Sequence, residues 1–429
     1  MRRPAGTHPI YWRSFPYSPP DDWSDTRISD MAHVTKGKLP KTLLHRPSEK
    51  SIPYLLIDGL HNGSSFYTED IDLPLITPED TVVVADGSRS GLPIRGVSGA
   101  LGSTLLRYRA KEGFDGDYLY YLLESLYPFT NTATIGGAVP HLDKRLLSQL
   151  VLKTPGQAER AIIGRVLRAV DEMLSATNNE LLAAQRLKTA LMQQLFTKGI
   201  PGRHKTFKTV RVGRIHFSIP EEWEMATLAS HCGGHDCVKT GPFGAQLPIE
   251  VFRPTGIRII NITDIGEGRI VFSTEAYVDD EVADRLRDYR LKKGDIIFSR
   301  VASVGRLGLI TEEYDGFLMS SNCIRLRPNS KFNSIFLLHT FLDSQAVSRQ
   351  VVAAATGGAR PIVTPRFLRR MTIPKPLIAE QNEIADIIEK TSQLVDSIES
   401  KINALEVLKK SLLQNLLTGK VRVNMEARV

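Results

Sequence analysis

Four residues whose side chains can bind a metal ion lie within one short stretch, and they are His231, Cys232, His235 and Cys237. Imidazole and thiolate groups are common zinc ligands, so the stretch could in principle hold one ion. Structural zinc sites usually combine two such clusters from distant parts of a chain, and this sequence has no second cluster. We therefore favour a loop with a buried thiol and expect no metal site.

Nucleotide-binding and cofactor-binding motifs are missing from the sequence. Thr418-Gly419-Lys420 ends like a phosphate-binding loop, but it lacks the preceding glycine and Val421 follows it. Gly266-Glu267-Gly268 lacks the third glycine of a dinucleotide fingerprint, so a plain turn is the simpler interpretation. We expect no cofactor and no catalytic activity from this chain alone.

Composition limits the possible classes of protein. The 429 residues, 42% of them hydrophobic, suffice for two or three domains at about 150 residues each. The 55 basic and 47 acidic residues give a net charge of +8, which weakly favours a polyanionic partner. Three cysteines are too few for a disulfide framework. Because no apolar run approaches about 18 residues and no signal peptide is visible, we expect a cytoplasmic protein without membrane contact.

The two halves of the chain repeat each other in the same order. The matching segments include Pro20-Asp21-Asp22-Trp23 with Pro220-Glu221-Glu222-Trp223, TVVVADGSRSG from Thr81 with DIIFSRVASVG from Asp295, GGAVP from Gly136 with GGARP from Gly357, and Gln157-Ala158-Glu159 with Gln381-Asn382-Glu383. Each repeat has Gly- and Pro-punctuated β-rich runs beside short helical stretches. The sequence therefore predicts a duplicated α+β protein. We expect Trp23 and Trp223 to be core anchors.

A long helix is predicted at the end of each repeat. Residues 158–197 contain no Gly or Pro except Gly164, and residues 380–418 contain neither, so each can form a helix of about 39 residues, on the order of 58 Å long. The second helix has an apolar seam formed by Ile384, Ile387, Leu394, Ile398, Ile402, Leu405, Leu408, Leu412 and Leu416. The seam of the first helix is interrupted by Thr177, Ala184 and Lys188. An antiparallel coiled coil of the two helices is the economical arrangement, and packing of each helix on its own globular domain is the alternative.

Several segments of the second repeat carry a family resemblance. They are TGPFGAQL from Thr240, GDIIFSR from Gly294 with the following Gly305-Arg306, TGGARP from Thr356, and IPKP from Ile373 followed by Glu380-Gln381. With the duplicated long helices, they make the chain resemble the DNA-specificity subunit of a type I restriction–modification system, from about Trp23 to Lys420. The first repeat has no TGPFG segment and retains only GGAVP.

The resemblance implies a non-catalytic DNA reader. Each globular repeat would be a target-recognition domain on one half of a bipartite double-stranded DNA site, and the paired helices would hold the two domains apart. Two modification subunits, which methylate adenine, and ATP-dependent restriction subunits would be its partners. A coiled-coil scaffold that binds proteins without touching DNA is the alternative.

The predicted domain organisation follows the repeat. Its segments are a first target-recognition domain at 1–157, a central helix at 158–198, a basic linker at 199–210, a second target-recognition domain at 211–379, a final helix at 380–420 and a tail at 421–429.

Candidate DNA-binding residues lie in loops, because such loops can present Lys and Arg to phosphates and base edges. In the second repeat they are Lys239, Gln246, Arg300, Ser303, Arg306 and Arg360. In the first repeat they are Lys36, Lys38, Lys41, Ser88, Arg89 and Arg95, for which a solvated loop is the alternative interpretation. The TGPFG segment could equally be a structural corner with Phe243 in the core.

Overall fold

The computed structural model describes residues 10–11, 19–58, 65–136, 139–231, 237–300, 306–344, 347, 349–350 and 364–424. The chain forms two compact units. Unit 1 consists of residues 1–179 and 399–429, and unit 2 consists of residues 180–398. In the described ranges, no helix has an apolar stretch long enough to cross a membrane.

In the residues that the structure describes, unit 1 combines short strands with three helices that lie wholly within it. The strands are β1 Ile10–Tyr11, β2 Ser24–Arg27, β3 Ala32–Lys36, β4 Ile52–Leu55, β5 Tyr67–Thr68, β6 Leu75–Ile76, β7 Thr81–Val84, β8 Pro93–Ile94, β9 Gly99–Leu101, β10 Leu105–Ala110 and β11 Leu150–Thr154. The helices are α1 Ile28–Met31, α2 Gly116–Thr132 and α3 Lys144–Gln149. The Asp115 side chain accepts a hydrogen bond from the backbone N–H of Tyr118 and so caps the start of α2.

The main sheet of unit 1 has the strand order β3-β10-β7-β8. A second sheet has the order β5-β4-β9-β6, and a third has the order β1-β11-β2. Strand β7 is buried on both faces, with Val83 in the core beside α2 and with Val82 and Val84 in a separate core cluster. Because successive side chains of a strand point to opposite faces, β7 joins the two cores.

The described part of unit 2 contains the other strands and several short helices. The strands are β12 Phe207–Val212, β13 Ile215–Pro220, β14 Glu224–Thr227, β15 Val238–Thr240, β16 Ile257–Ile260, β17 Glu267–Gly268, β18 Tyr277–Val278, β19 Ile296–Ser299, β20 Leu307–Leu309, β21 Leu318–Met319, β22 Cys323–Leu326 and β23 Thr372–Lys375. The long helix α4 spans Gln157–Lys198 and the long helix α9 spans Ile378–Leu416, so each has residues in both units. The short helices are α5 Leu228–His231, α6 Asp280–Arg285, α7 Ser334–Asp343 and α8 Pro365–Arg370.

The sheets of unit 2 repeat those of unit 1. The order β15-β22-β19-β20, extended by β17, corresponds to β3-β10-β7-β8, and β18-β16-β21 corresponds to β5-β4-β9. Strand β19 is buried on both faces like β7, with Ile296 and Phe298 in one core and Ile297 in another. The predicted duplicated α+β fold is confirmed. Trp23 and Trp223 are buried as predicted, and Cys323 lies fully buried in β22.

The strand repeat has a register one residue different from the predicted one. The sequence match makes Thr81 the counterpart of Asp295, whereas the pattern of hydrogen bonds within each repeat makes Asp80 the counterpart of Asp295. Asp80 accepts from the backbone N–H of Thr77, and Asp295 accepts in the same way from that of Lys292, three residues earlier in each case. A slip of one residue exchanges the two faces of a strand, and the counterpart of Thr81 is therefore Ile296 and that of Val83 is Phe298.

The two long helices pack against each other in opposite directions. In unit 1, Ile163 at the start of α4 shares a core cluster with Leu416 at the end of α9. In unit 2, Leu195 near the end of α4 shares a cluster with Ile384 near the start of α9. The predicted antiparallel pairing is therefore confirmed, and each helix end also packs on the globular core of its unit.

The buried seam of α9 differs from the predicted one at three positions, Ile387, Leu394 and Leu408. Leu394 and Leu408 are 45% and 44% exposed, and the residues that follow them, Val395 and Lys409, take the seam positions, as Ile388 does in place of Ile387. From Ile384 the buried side steps alternately by four and three residues, which is the heptad spacing, and each of the three predicted residues falls one residue before a seam position. The same spacing in α4 includes Thr177 and Ala184, which are buried within the seam rather than interrupting it.

The segment that follows each long helix is hydrogen-bonded to the first turn of the other long helix. Arg422, after α9, donates to both carboxylate oxygens of Glu159 at 2.6 and 2.7 Å. His204, after α4, lies 2.7 Å from Glu380, which also accepts from the indole N–H of Trp223 at 3.0 Å. Glu159 and Glu380 lie in the first turn of α4 and α9, respectively, so the two repeats are stabilised at the same place.

Candidate nucleic-acid interface

Three of the segments that carry candidate residues lie together at one edge of the main sheet of unit 2, the edge at which β15 and β19 end. The backbone N–H of Gly241 donates to Cys323 at 3.0 Å, and that of Arg300 donates to Asn322 at 2.9 Å. The N–H of Ser299 donates to the carbonyl of Arg306 at 3.0 Å. The end of β15, the end of β19 and the start of β20 therefore lie side by side.

Gly241 is held where no side chain fits. A Cβ atom there would lie 1.9 Å from the carbonyl oxygen of Ser320, so only glycine allows this close approach of two backbone segments. The chain then turns, and Phe243 is 65% exposed. The alternative that Phe243 belongs to the core is therefore wrong.

Gln246 and Lys239 are both engaged within the protein. The Gln246 side chain accepts from the backbone N–H of Phe243 at 3.2 Å and from the hydroxyl of Tyr289 at 3.1 Å. The Lys239 ammonium lies 5.0 Å from the centre of the Tyr289 ring and 3.5 Å from Asp288. These contacts hold the turn in place. The Lys239 side chain is 25% exposed and therefore largely buried.

Arg300 and Arg306 are half-buried residues on either side of residues 301–305. Ser303 and Arg360, the other two candidates of the second repeat, lie outside the described residues, as do the TGGARP segment and residues 232–236 of the His/Cys cluster. Cys237, which follows that cluster, is buried. Among the described ranges, no three His, Cys, Asp or Glu side chains are grouped as a metal site.

The same edge exists in unit 1, where Gly37 takes the place of Gly241. Its N–H donates to Leu105 at 3.0 Å, and a Cβ atom on it would lie 1.9 Å from the carbonyl oxygen of Gly102. Lys36 and Lys38, both exposed, flank this glycine. The first repeat thus has the turn without the TGPFG sequence, and the single glycine at the end of β3 is too weak a signal to reveal the turn in the sequence alone.

Ser88 and Arg89 lie in the turn that follows β7, at the same end of the sheet as Gly37. The Ser88 carbonyl accepts from the amide of Asn131 at 3.0 Å, and the guanidinium of Arg89 lies 3.6 Å from Asp58. The Ser88 side chain is exposed and that of Arg89 is partly exposed. Both are thus available at this edge.

Lys144 adds positive charge near Lys36. Partial burial lowers the pKa of Lys144, and the adjacent positive charge of Lys36 lowers it further. Mutual repulsion of two ammonium groups is relieved when an anion such as a phosphate approaches. Lys144 is the first residue of α3 and lies more than 100 residues from Lys36, so the sequence alone does not place the two lysines together.

The structure does not bring Arg95 to this edge. Arg95 follows β8 at the opposite end of the sheet, where it forms an ion pair with Asp117 of α2. Burial lowers the pKa of its guanidinium, and the charge of Arg168 acts in the same direction. Lys41 lies beyond the Gly37 turn, exposed, with its ammonium 2.8 Å from Asp72.

These observations define a duplicated α+β protein with an equivalent loop-bearing sheet edge in each half and a pair of antiparallel helices. The family described as type I restriction modification DNA specificity domain matches residues 20–184 and 255–407. The chain therefore belongs to this family of DNA specificity proteins.

Two relatives agree with this assignment, and one solved structure shares the fold. The chain is 26% identical to the type I restriction enzyme MjaVIII specificity subunit of Methanocaldococcus jannaschii, over 94% of both chains. It is 23% identical to the EcoBI specificity subunit of Escherichia coli, over 95% of this chain and 87% of that one. The crystal structure of the S subunit from M. genitalium shares the fold, with a TM-score of 0.60 and 14% identity over 93% of this chain and 99% of that one.

Proposed function

We propose that this chain is the non-catalytic DNA-reading subunit of a type I restriction–modification complex. Each unit binds one half of a bipartite double-stranded site through the sheet edge described above. Residues 1–157 and 211–379 are the two target-recognition domains. The methyltransferase and the ATP-dependent nuclease activities belong to separate modification and restriction subunits.

The observation that carries the proposal is the equivalence of the two sheet edges with different residues on them. By their hydrogen bonds to the sheet, Arg300 corresponds to Ala85 and Arg306 corresponds to Leu92. Lys36 takes the position of Thr240, because both end the strand before the buried glycine. Two edges with the same backbone but different side chains suit two readers of different base sequences.

The exposed surface of the long helices favours the binding of two copies of one partner. Four apolar residues lie one position before a seam residue and are 44% to 52% exposed, and they are Met173, Leu187, Leu394 and Leu408. Met173 and Leu394 occupy equivalent positions in the two helices, as do Leu187 and Leu408. A surface preserved in both repeats suits two copies of one partner, and we assign it to two modification subunits.

The first test is to co-express the chain with its candidate modification subunit and to map methylated adenines across a genome. A motif of two short specific halves around a fixed gap is expected. Replacement of residues 239–374 by the corresponding segment of a relative should change one half only. An undivided motif, or a change in both halves, would contradict the two-reader arrangement.

Salt dependence separates DNA reading from the protein-scaffold alternative. Binding through several phosphates weakens steeply between about 50 and 200 mM salt, whereas an apolar protein interface does not. The variants Arg300→Ala and Arg306→Ala should each reduce the slope of log affinity against log salt by about one if the side chain contacts a phosphate. Arg214→Ala, which changes an exposed arginine in the turn between β12 and β13 of the same unit, is the matched control and should leave the slope unchanged.

A further inference from the structure

A large exposed apolar side chain occurs at the same position of both sheet edges. Leu39 is 77% exposed and Phe243 is 65% exposed. Each lies two residues after the glycine that the sheet edge buries, Gly37 in unit 1 and Gly241 in unit 2. Single exposed apolar residues are common on proteins, so the recurrence at one structural position is the informative fact.

The backbone holds both side chains in place. In unit 1 the carbonyl of Lys38 accepts from the hydroxyl of the buried Tyr54 at 3.0 Å, and Pro40 follows Leu39. In unit 2, Pro242 precedes Phe243, whose N–H donates to Gln246. Fixed backbone on both sides allows an exposed side chain to enter a ligand without a large loss of conformational entropy.

The neighbours of these two residues differ between the units, while their apolar character does not. Lys38 before Leu39 corresponds to Pro242 before Phe243, and the Arg300 and Arg306 positions are Ala85 and Leu92 in unit 1. If the two units read different half-sites, a contact common to both is best explained by an interaction that does not depend on base sequence. Insertion of an apolar side chain between stacked bases is such a contact, and both Leu and Phe are known to act as wedges.

We propose that Leu39 and Phe243 are equivalent wedge residues, each of which inserts at one base step of its half-site and partly unstacks it. This inference rests on the proposed function and adds to it a contact that distorts DNA without reading its sequence. The arginine and lysine residues beside each wedge would hold the phosphates of the opened step.

Base unstacking can be measured directly with 2-aminopurine, whose fluorescence rises when it leaves the stack. The probe is a duplex of the bipartite motif mapped as above, with 2-aminopurine placed in turn at each adenine of both half-sites other than the methylated adenine, which the modification subunit itself takes out of the stack. The protein is the full chain assembled with its modification subunit. Wild-type protein should raise the fluorescence several-fold at one step of each half-site.

The two variants should act on different halves. Phe243→Ala should abolish the fluorescence rise in one half-site and Leu39→Ala in the other, each with an affinity loss of about tenfold. Phe243→Leu should retain the rise. Ile71→Ala and Val271→Ala, which truncate exposed apolar residues of unit 1 and unit 2, are the matched controls and should change neither half.

The possible failures are distinguishable. Site-specific binding by Phe243→Ala and Leu39→Ala with unchanged fluorescence would overturn the wedge and leave the proposed function intact. An equal loss of fluorescence in both halves with either variant would also overturn it. Absence of any salt-sensitive DNA binding by the wild-type assembly would overturn both the wedge and the proposed function.

Discussion

The guanidinium of Arg327 donates two hydrogen bonds to the carboxylate of Asp295, at 2.7 and 2.6 Å. Arg109 donates the same two bonds to Asp80 in unit 1, both at 2.7 Å. Asp80 and Asp295 are each 1% exposed. The duplicated pair joins two neighbouring strands at the end of the main sheet opposite the candidate interface, and it thereby stabilises the register that sets the position of the interface loops.

Removal of one partner of this pair should destabilise unit 2 strongly. Arg327→Ala leaves the buried carboxylate of Asp295 without its countercharge, which typically costs about 3–5 kcal/mol. Urea unfolding of the variant should show this loss in the free energy of unfolding, and Arg214→Ala should stay within about 0.5 kcal/mol of wild type. A loss below about 1 kcal/mol for Arg327→Ala would mean that the pair is replaceable by water.

The corresponding pair in unit 1 should make stability depend on acid pH. Burial raises the pKa of Asp80, but the hydrogen bonds and positive charge of Arg109 outweigh this effect and hold the pKa below its ordinary value of 3.8. The contribution to folding is therefore fully present above about pH 3.8 and is lost as the pH falls through the lower folded-state pKa. The stability difference between wild type and Asp80→Asn should be constant from pH 7 to about pH 5 and should shrink below pH 3.8. A difference that shrinks near pH 6 would implicate another group.

A methyl group at Gly241 should displace the candidate interface. The 1.9 Å approach to Ser320 involves a backbone oxygen, which cannot rotate away, so Gly241→Ala must move the turn that carries Phe243. We expect a lower melting temperature and loss of recognition of one half-site, read from the methylation map. Gly244→Ala, three residues later in open space with an ordinary backbone conformation, is the control and should preserve both. Equal effects of the two variants would argue against the steric cause.

The duplication, the fold class and the antiparallel helices were predictable because their signals are periodic or repeated. The strand register was not, because TVVV and IIFS are buried on both faces and lack the alternation that fixes register. The turn that the two units share could not be found from the sequence, because the two turns have only their glycine, Gly37 or Gly241, in common. A single glycine is too common to guide an alignment. The Asp80–Arg109 and Asp295–Arg327 pairs join residues 29 and 32 positions apart, so they become visible only when the strands are paired.

The exposed apolar residues of the long helices give a last prediction, on assembly. Leu394→Glu places a charge on an exposed position of α9, so the free energy of unfolding should change by no more than about 0.5 kcal/mol. If a modification subunit packs on this surface, the buried carboxylate would weaken that contact, and the double variant Leu394→Glu with Leu187→Glu should release one partner copy of two in mass photometry. The equivalent variant Met173→Glu with Leu408→Glu should release the other copy, and all four substitutions together should release both. Lys401→Glu, which changes an exposed position on the same helix without removing an apolar side chain, is the control. Retention of both copies by the fourfold variant would exclude this helix surface as the partner site.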